Sequence, residues 1–156
     1  MCWFFSKKKA KNVEPYIEPR VEQKESGPAP QEVKEAPKFE RFLLTVEAAN
    51  AQMIADPSAQ DIQNAVRALS ASEEYFLVLE GKQEINGVTF MQATGFERSD
   101  NTIYMEVQCK EAGANGTVAR NYGQMVGVST LVKTLIDYMS GITPTDMKSW
   151  DFAGEF

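Results

Sequence analysis

Two stretches decide the fold: Val88-Thr89-Phe90-Met91-Gln92-Ala93-Thr94-Gly95-Phe96-Glu97 and Thr102-Ile103-Tyr104-Met105-Glu106-Val107-Gln108-Cys109-Lys110. In the second, Ile103, Met105, Val107 and Cys109 alternate with Tyr104, Glu106 and Gln108. Successive strand side chains point to opposite faces, so a period of two describes a strand with one apolar and one polar face. In the first stretch Phe90, Gln92, Thr94 and Phe96 share a face. Ser99-Asp100 can supply a two-residue turn, which makes the pair an antiparallel hairpin. That turn sets Phe96 opposite Ile103 and Phe90 opposite Cys109. A slip of one residue would set each apolar group against a polar one, so this register is the expected one.

Working back toward the start, Gly81 and Asn86-Gly87 are turn signals. The run Tyr75-Phe76-Leu77-Val78-Leu79 reads as a central strand, preceded by Glu73-Glu74. Before it, Ile62, Ala65, Val66 and Leu69 fall on one side of a helix over 57–70, with Asp56 as its cap and Pro57 in its first turn. Residues 39–47 are rich in β-formers and read as the first strand.

Beyond the hairpin, residues 111–116 form a loop and 117–122 a short strand. A second helix is capped by Ser129 and buries Val128, Leu131, Val132, Leu135, Ile136 and Met139. Gly141 closes it, Pro144 follows, and Trp150-Asp151-Phe152 reads as a final strand. The expectation is an α+β domain over residues 39–156, with a mostly antiparallel sheet of five to six strands and two amphipathic helices. A chain of 156 residues suits one such domain.

Residues 1–38 differ in kind. They hold five of the seven prolines and show neither apolar period, so they read as a disordered N-terminal arm. Its start sets Trp3, Phe4 and Phe5 beside Lys7, Lys8 and Lys9. Aromatics beside a basic cluster suit weak contact of residues 1–11 with an anionic membrane. The apolar run is too short for a secretory signal and precedes the basic residues, so the cytoplasm is the expected compartment.

Composition excludes much chemistry. There is no histidine, which removes the commonest general base and imidazole metal sites. The two cysteines, Cys2 and Cys109, cannot build a four-thiolate metal site. Cys109 lies on an apolar strand face with no activating group, as an inert buried thiol does. Gly123 and Gly127 match neither the dinucleotide fingerprint nor the phosphate loop. No carboxylate pair has catalytic spacing, so no catalytic residue, cofactor or metal is expected and the chain does not read as an enzyme. The net charge of −6 is uneven: residues 1–38 carry 8 basic and 6 acidic side chains, residues 39–156 carry 8 and 16. An acidic body is a poor nucleic-acid binder and suits a basic protein partner.

Three stretches carry a family resemblance: Asp56-Pro57-Ser58-Ala59-Gln60-Asp61-Ile62-Gln63-Asn64-Ala65-Val66, Tyr75-Phe76-Leu77-Val78-Leu79, and Leu135 through Pro144 to Trp150. Over about residues 40–152 the chain resembles immunity protein family one of bacterial polymorphic toxin systems. The resemblance implies a non-catalytic protein that neutralises a cognate toxin domain by binding and occluding it. The hairpin over 88–110 and the arm depart from that pattern. Exposure near one sheet face and its edge loops singles out Glu73, Glu74, Glu97, Asp100, Tyr104 and Glu106 as partner contacts, with Tyr122 and Trp150 next. The rival reading is a peripheral structural or adaptor domain, tethered to a membrane or assembly through the arm.

Overall fold

The computed structural model describes residues 37–95 and 101–156. The expectations for residues 1–36, the aromatic-basic start included, and for Phe96, Glu97, Ser99 and Asp100 lie outside the described residues. Ten elements follow in order: strands β1 (Phe42–Glu47) and β2 (Gln52–Ala55), helix α1 (Ala59–Leu69), strands β3 (Phe76–Ile85), β4 (Val88–Thr94), β5 (Thr102–Gly113) and β6 (Gly116–Gly127), helix α2 (Val128–Met139), a 3₁₀ turn at Met147–Ser149, and strand β7 (Asp151–Glu155). The strands form one sheet in the order β2-β1-β3-β4-β5-β6-β7, with every neighbouring pair antiparallel. The α+β class stands, with seven strands where five to six were expected. The unread strand is β2, which is short and mostly exposed and carries no alternation to reveal it.

One face of the sheet is covered. Phe42, Leu44 and Val46 of β1, Leu77 and Leu79 of β3, Met91 and Ala93 of β4, and Ile103, Met105, Val107 and Cys109 of β5 form its core side. Against them lie Ile62, Ala65, Val66 and Leu69 of α1 and Leu131, Leu135 and Tyr138 of α2. This is a two-layer arrangement, and the helices also touch each other.

The β4–β5 register is one residue off the expected one. Phe90 pairs with Gln108, Met91 with Val107, Gln92 with Glu106 and Ala93 with Met105. The apolar set of β4 is therefore Met91 and Ala93, both buried, and Phe90 turns to the opposite face. A bulge between Val88 and Phe90 explains why alternation misled: the extra residue changes parity, so Val88 and Met91 both reach the core.

Tyr138 stabilises that bulge. Its side chain is fully buried, and its hydroxyl donates to the Val88 and Thr89 carbonyls at 3.3 and 3.1 Å. Burial first, with the Glu80 charge adding, pushes the phenol up to about 12 from an ordinary 10.0. A raised folded pKa gives stability that is complete below the unfolded value and lost as pH climbs through the folded one. We therefore expect denaturant midpoints of the wild type to fall between about pH 10 and 12, in excess of the fall in Tyr138→Phe. At neutral pH the variant should be less stable by about 1–2 kcal/mol, because two buried carbonyls lose their donor.

The helix caps differ from the sequence reading. Ser58 caps α1, its hydroxyl accepting from the Asp61 N–H at 3.2 Å while the Asp61 carboxylate accepts from the Ser58 N–H at 2.8 Å. Asp56 is instead held at φ 47° with its carboxylate over the start of β1, accepting from the N–H groups of Glu40, Arg41 and Phe42 at 2.8, 2.7 and 2.9 Å. These bonds, that of Glu40 first, hold its pKa below the ordinary 3.8. A depressed pKa contributes stability above the unfolded value and loses it as pH falls through the folded one. Asp56→Asn should therefore lower the urea midpoint at pH 7, and the gap from wild type should narrow below about pH 3.8. A gap that is unchanged at pH 2.5 would assign the bonds no linkage.

No side chain caps α2, which follows directly from β6 with Gly127 in the cap position rather than Ser129. Its other end is as expected. Gly141 has φ 87°, and the N–H groups of Gly141 and Ile142 return to Tyr138 and Asp137 carbonyls at 2.9 Å each.

Candidate functional site

The second face of the sheet carries no helix among the described residues. Register places its side chains in rows that cross the strands. One row runs Met53, Thr45, Val78, Gln92, Glu106, Gly123, Asp151 from β2 to β7. Beside it runs Ala55, Leu43, Glu80, Phe90, Gln108, Asn121, Gly154. On the other side, Glu47 pairs with Phe76, Phe76 with Thr94, and Tyr104 with Met125. Met53, Phe76 and Met125 are 45%, 41% and 59% exposed, large apolar groups left in solvent on this face.

A directed hydrogen-bond chain organises the centre. The Thr89 hydroxyl donates to Gln108 Oε1 at 2.9 Å. Gln108 Nε2 donates to Asn121 Oδ1 at 3.1 Å, and Asn121 Nδ2 donates to Glu106 Oε2 at 3.4 Å. From the other side Gln92 Nε2 donates to the same oxygen at 2.6 Å. Every amide thus points its donors toward one carboxylate, an arrangement in which successive bonds polarise one another. Tyr104 completes the set: burial, then the charge of Glu106 and a bond to it, then the charge of Asp151 push its phenol up from 10.0. The hydroxyl end of the Tyr104 ring occupies the space where a side chain on Gly123 would begin, so only glycine at 123 lets the ring lie there.

The carboxylates of this face contrast with Glu111. That residue is bonded by Arg120 and Lys148 at 3.2 Å each and by the Tyr122 hydroxyl at 3.2 Å. Burial alone would raise its pKa; Lys148, Tyr122 and Arg120 hold it below 4.5 instead. Arg120 also bonds Glu155 at 2.9 Å, so the cluster ties β5, β6, the 3₁₀ turn and β7 together. Among the described residues no lysine or arginine forms an ion pair with Glu106, Asp151, Glu80 or Glu47. The three rows hold those four carboxylates and no cationic side chain.

The residues singled out from sequence separate as follows. Tyr104 and Glu106 lie together at the centre of the face. Glu73 and Glu74 are exposed in the turn before β3. Tyr122 is a correction: it belongs to the helix-covered side, buried against Phe152 with ring centroids 6.1 Å apart. Trp150 packs half-buried against the core, its Nε1 buried with no hydrogen-bond partner among the described residues. Sequence reasoning missed Gln92, because it set β4 in the wrong register, and Asn121, because it left the strand at 117–122 unpaired with β5. It also missed Asp151, whose strand pairs with β6 through an irregular step.

Other chemistry on the described residues is sparse. None of them form a group of three or more His, Cys, Asp or Glu that could hold a metal. Cys109 is buried, and that burial, followed by the Glu111 charge, pushes its thiol up, away from nucleophilic thiolate. A cleft of about 330 Å³ between the β1–β2 hairpin and α1 is lined by five alanines, by Val46 and Ile54, and by Asn50, Gln52, Asn64 and Tyr75, and the Asp61 carboxylate in its lining is committed to Ser58. No described helix is long and apolar enough to cross a membrane.

The chain matches no family model, no curated protein and no solved structure.

Proposed function

We propose that this protein is a non-catalytic binding domain that docks a basic protein partner on the open face of its sheet. One observation carries the reading: three rows across the open face hold, among the described residues, four carboxylates, no cation and a set of exposed apolar side chains, with Lys110 of the same face lying beyond them and paired with Glu84. Strand and row spacings give the three rows roughly 600–700 Å², near the 800 Å² or so that one partner contributes to a standard interface. Apolar groups such as Phe76 and Met125 would be desolvated at contact, while the carboxylates set the sign of the partner. A second copy of the same face is disfavoured, since it would bring carboxylate against carboxylate.

Within this reading the most specific form is an immunity protein, acting in the cytoplasm, that occludes a cognate toxin domain. Its support is the resemblance of the stretches Asp56 to Val66, Tyr75 to Leu79 and Leu135 to Trp150, joined to the acidic face. A basic enzyme such as a nuclease presents the complementary charge.

The test uses the full chain, immobilised and exposed at low salt to extract of the cells that make it, beside a Glu106→Lys/Asp151→Lys variant and a Gln63→Ala control. The expected result is a basic protein held by wild type and control, released by salt and lost by the double variant. For the immunity form, that protein should be toxic when expressed alone and harmless beside this chain. A partner held equally by all three proteins would remove the open face from the interface. A partner that is harmless alone would remove the immunity form.

A further inference from the structure

We propose that Met53 and Met125 form a reversible oxidation site on the open face, where a neutral peroxide converts their thioethers to sulfoxides and thereby weakens docking. The effect on docking rests on the proposed face; the oxidation itself is read without a partner.

The methionines are sorted by layer. Six of the seven lie among the described residues. Met91 and Met105 turn to the core side of the sheet and are fully buried. Met139 and Met147 are partly buried against the same core. Met53 and Met125 are the exposed ones of the six, and both stand on the open face. They bracket it. Met53 is on β2 and Met125 on β6, five strand spacings away, so roughly 25 Å of face separates them. Glu80 and Glu106 lie on strands between the two.

A thioether reacts at its sulfur, so access to the sulfur sets the order of oxidation. A sulfur lone pair attacks one peroxide oxygen, the O–O bond breaks and an S–O bond forms. The departing hydroxide takes the proton of the transferred oxygen and leaves as water. Sulfur gives up two electrons and the peroxide accepts them. A neutral peroxide approaches this face freely, whereas its carboxylates repel anionic oxidants. The product carries a polar, chiral group where a docked partner meets an apolar one. The new oxygen only accepts hydrogen bonds, and the neighbouring carboxylates donate none, so covering it leaves a polar atom unpaired. The core keeps its packing, because Met91 and Met105 are shielded on the other layer. Sulfoxide reductases restore the thioether, which makes the change reversible.

The test treats the full-length chain with hydrogen peroxide at neutral pH and follows each methionine by peptide mass spectrometry. Met53 and Met125 should become sulfoxides at least about tenfold faster than Met91 and Met105, and the urea midpoint of the product should match that of untreated protein. Binding of the captured basic protein should weaken about tenfold on oxidation, the effect of burying one unpaired polar group. It should recover after treatment with sulfoxide reductases for both sulfoxide epimers. Met53→Leu/Met125→Leu keeps Cys2 and Cys109, so it separates thioether from thiol oxidation; its binding should be equal before and after peroxide. Oxidation of Met91 or Met105 as fast as the exposed pair, a sulfoxide product that binds as untreated protein does, or a leucine variant that stays peroxide-sensitive would overturn the inference. The docking face is judged separately by Glu106→Lys/Asp151→Lys. Binding lost in that variant but indifferent to peroxide sinks the oxidation site's role alone, and binding indifferent to both sinks the face as well.

Discussion

Replacing Leu135 by alanine is expected to destabilise the protein by about 2–5 kcal/mol, the range for emptying a buried leucine site. Leu135 is fully buried, as are Leu131 and Tyr138 on the same side of α2. It belongs to one cluster with Ile62, Val66 and Leu69 of α1 and with Ile103 and Met105 of β5. A cavity there would be walled by two helices and a sheet and could close only if one of them moved. Urea unfolding should show the loss as a lower midpoint at constant slope. Gln63→Ala, on the exposed side of α1, should stay within about 0.5 kcal/mol. Equal losses would mean that the helices do not cover the sheet as described. Below its melting transition Leu135→Ala should still bind the captured partner as wild type does, because Leu135 lies on the layer opposite the open face.

That separation of layers was largely legible in the sequence. Ile103, Met105, Val107 and Cys109 alternate without a break, and β5 has no bulge to change their parity. The two helices were legible because Ile62, Ala65, Val66 and Leu69, and Leu131 with Leu135, repeat at helical spacing over whole turns. Asn86 and Gly87 marked their turn because both take positive φ, 51° and 81°, where asparagine and glycine are tolerated. What failed was non-local. Register between β4 and β5 depends on the bulge at Val88–Phe90, and that bulge is stabilised by Tyr138, 50 residues further along the chain from Val88. With β4 placed one residue out, Gln92 could not be seen opposite Glu106, and the polar centre of the face dissolved into separate outward charges. Tyr104 and Glu106 were found because they share a strand. Asn121 and Asp151 were not, because pairing alone brings them there.

Reversing the charge of Glu106 and Asp151 together is the second large effect. The Glu106→Lys/Asp151→Lys variant moves this face by four charge units, from net negative to balanced against Glu47 and Glu80. At low salt its association with the captured basic partner should slow by about tenfold to a hundredfold, within the range electrostatic steering provides. The two positions should then diverge when changed singly. Asp151 is exposed near the sheet edge, so its reversal should act chiefly on the association rate and fade with salt, screened beyond about 8–10 Å at physiological ionic strength. Glu106 is half-buried and held by Gln92 and Asn121, so its reversal should also speed dissociation, as loss of a desolvated charge partner does. That part should persist at high salt. The measurement is a set of association and dissociation rates for both single variants and the double across a salt series. Rates that ignore salt and both reversals would make the four carboxylates ordinary solvated surface. A dissociation effect confined to Asp151 would place the centre of the interface at the β7 edge instead of over Glu106.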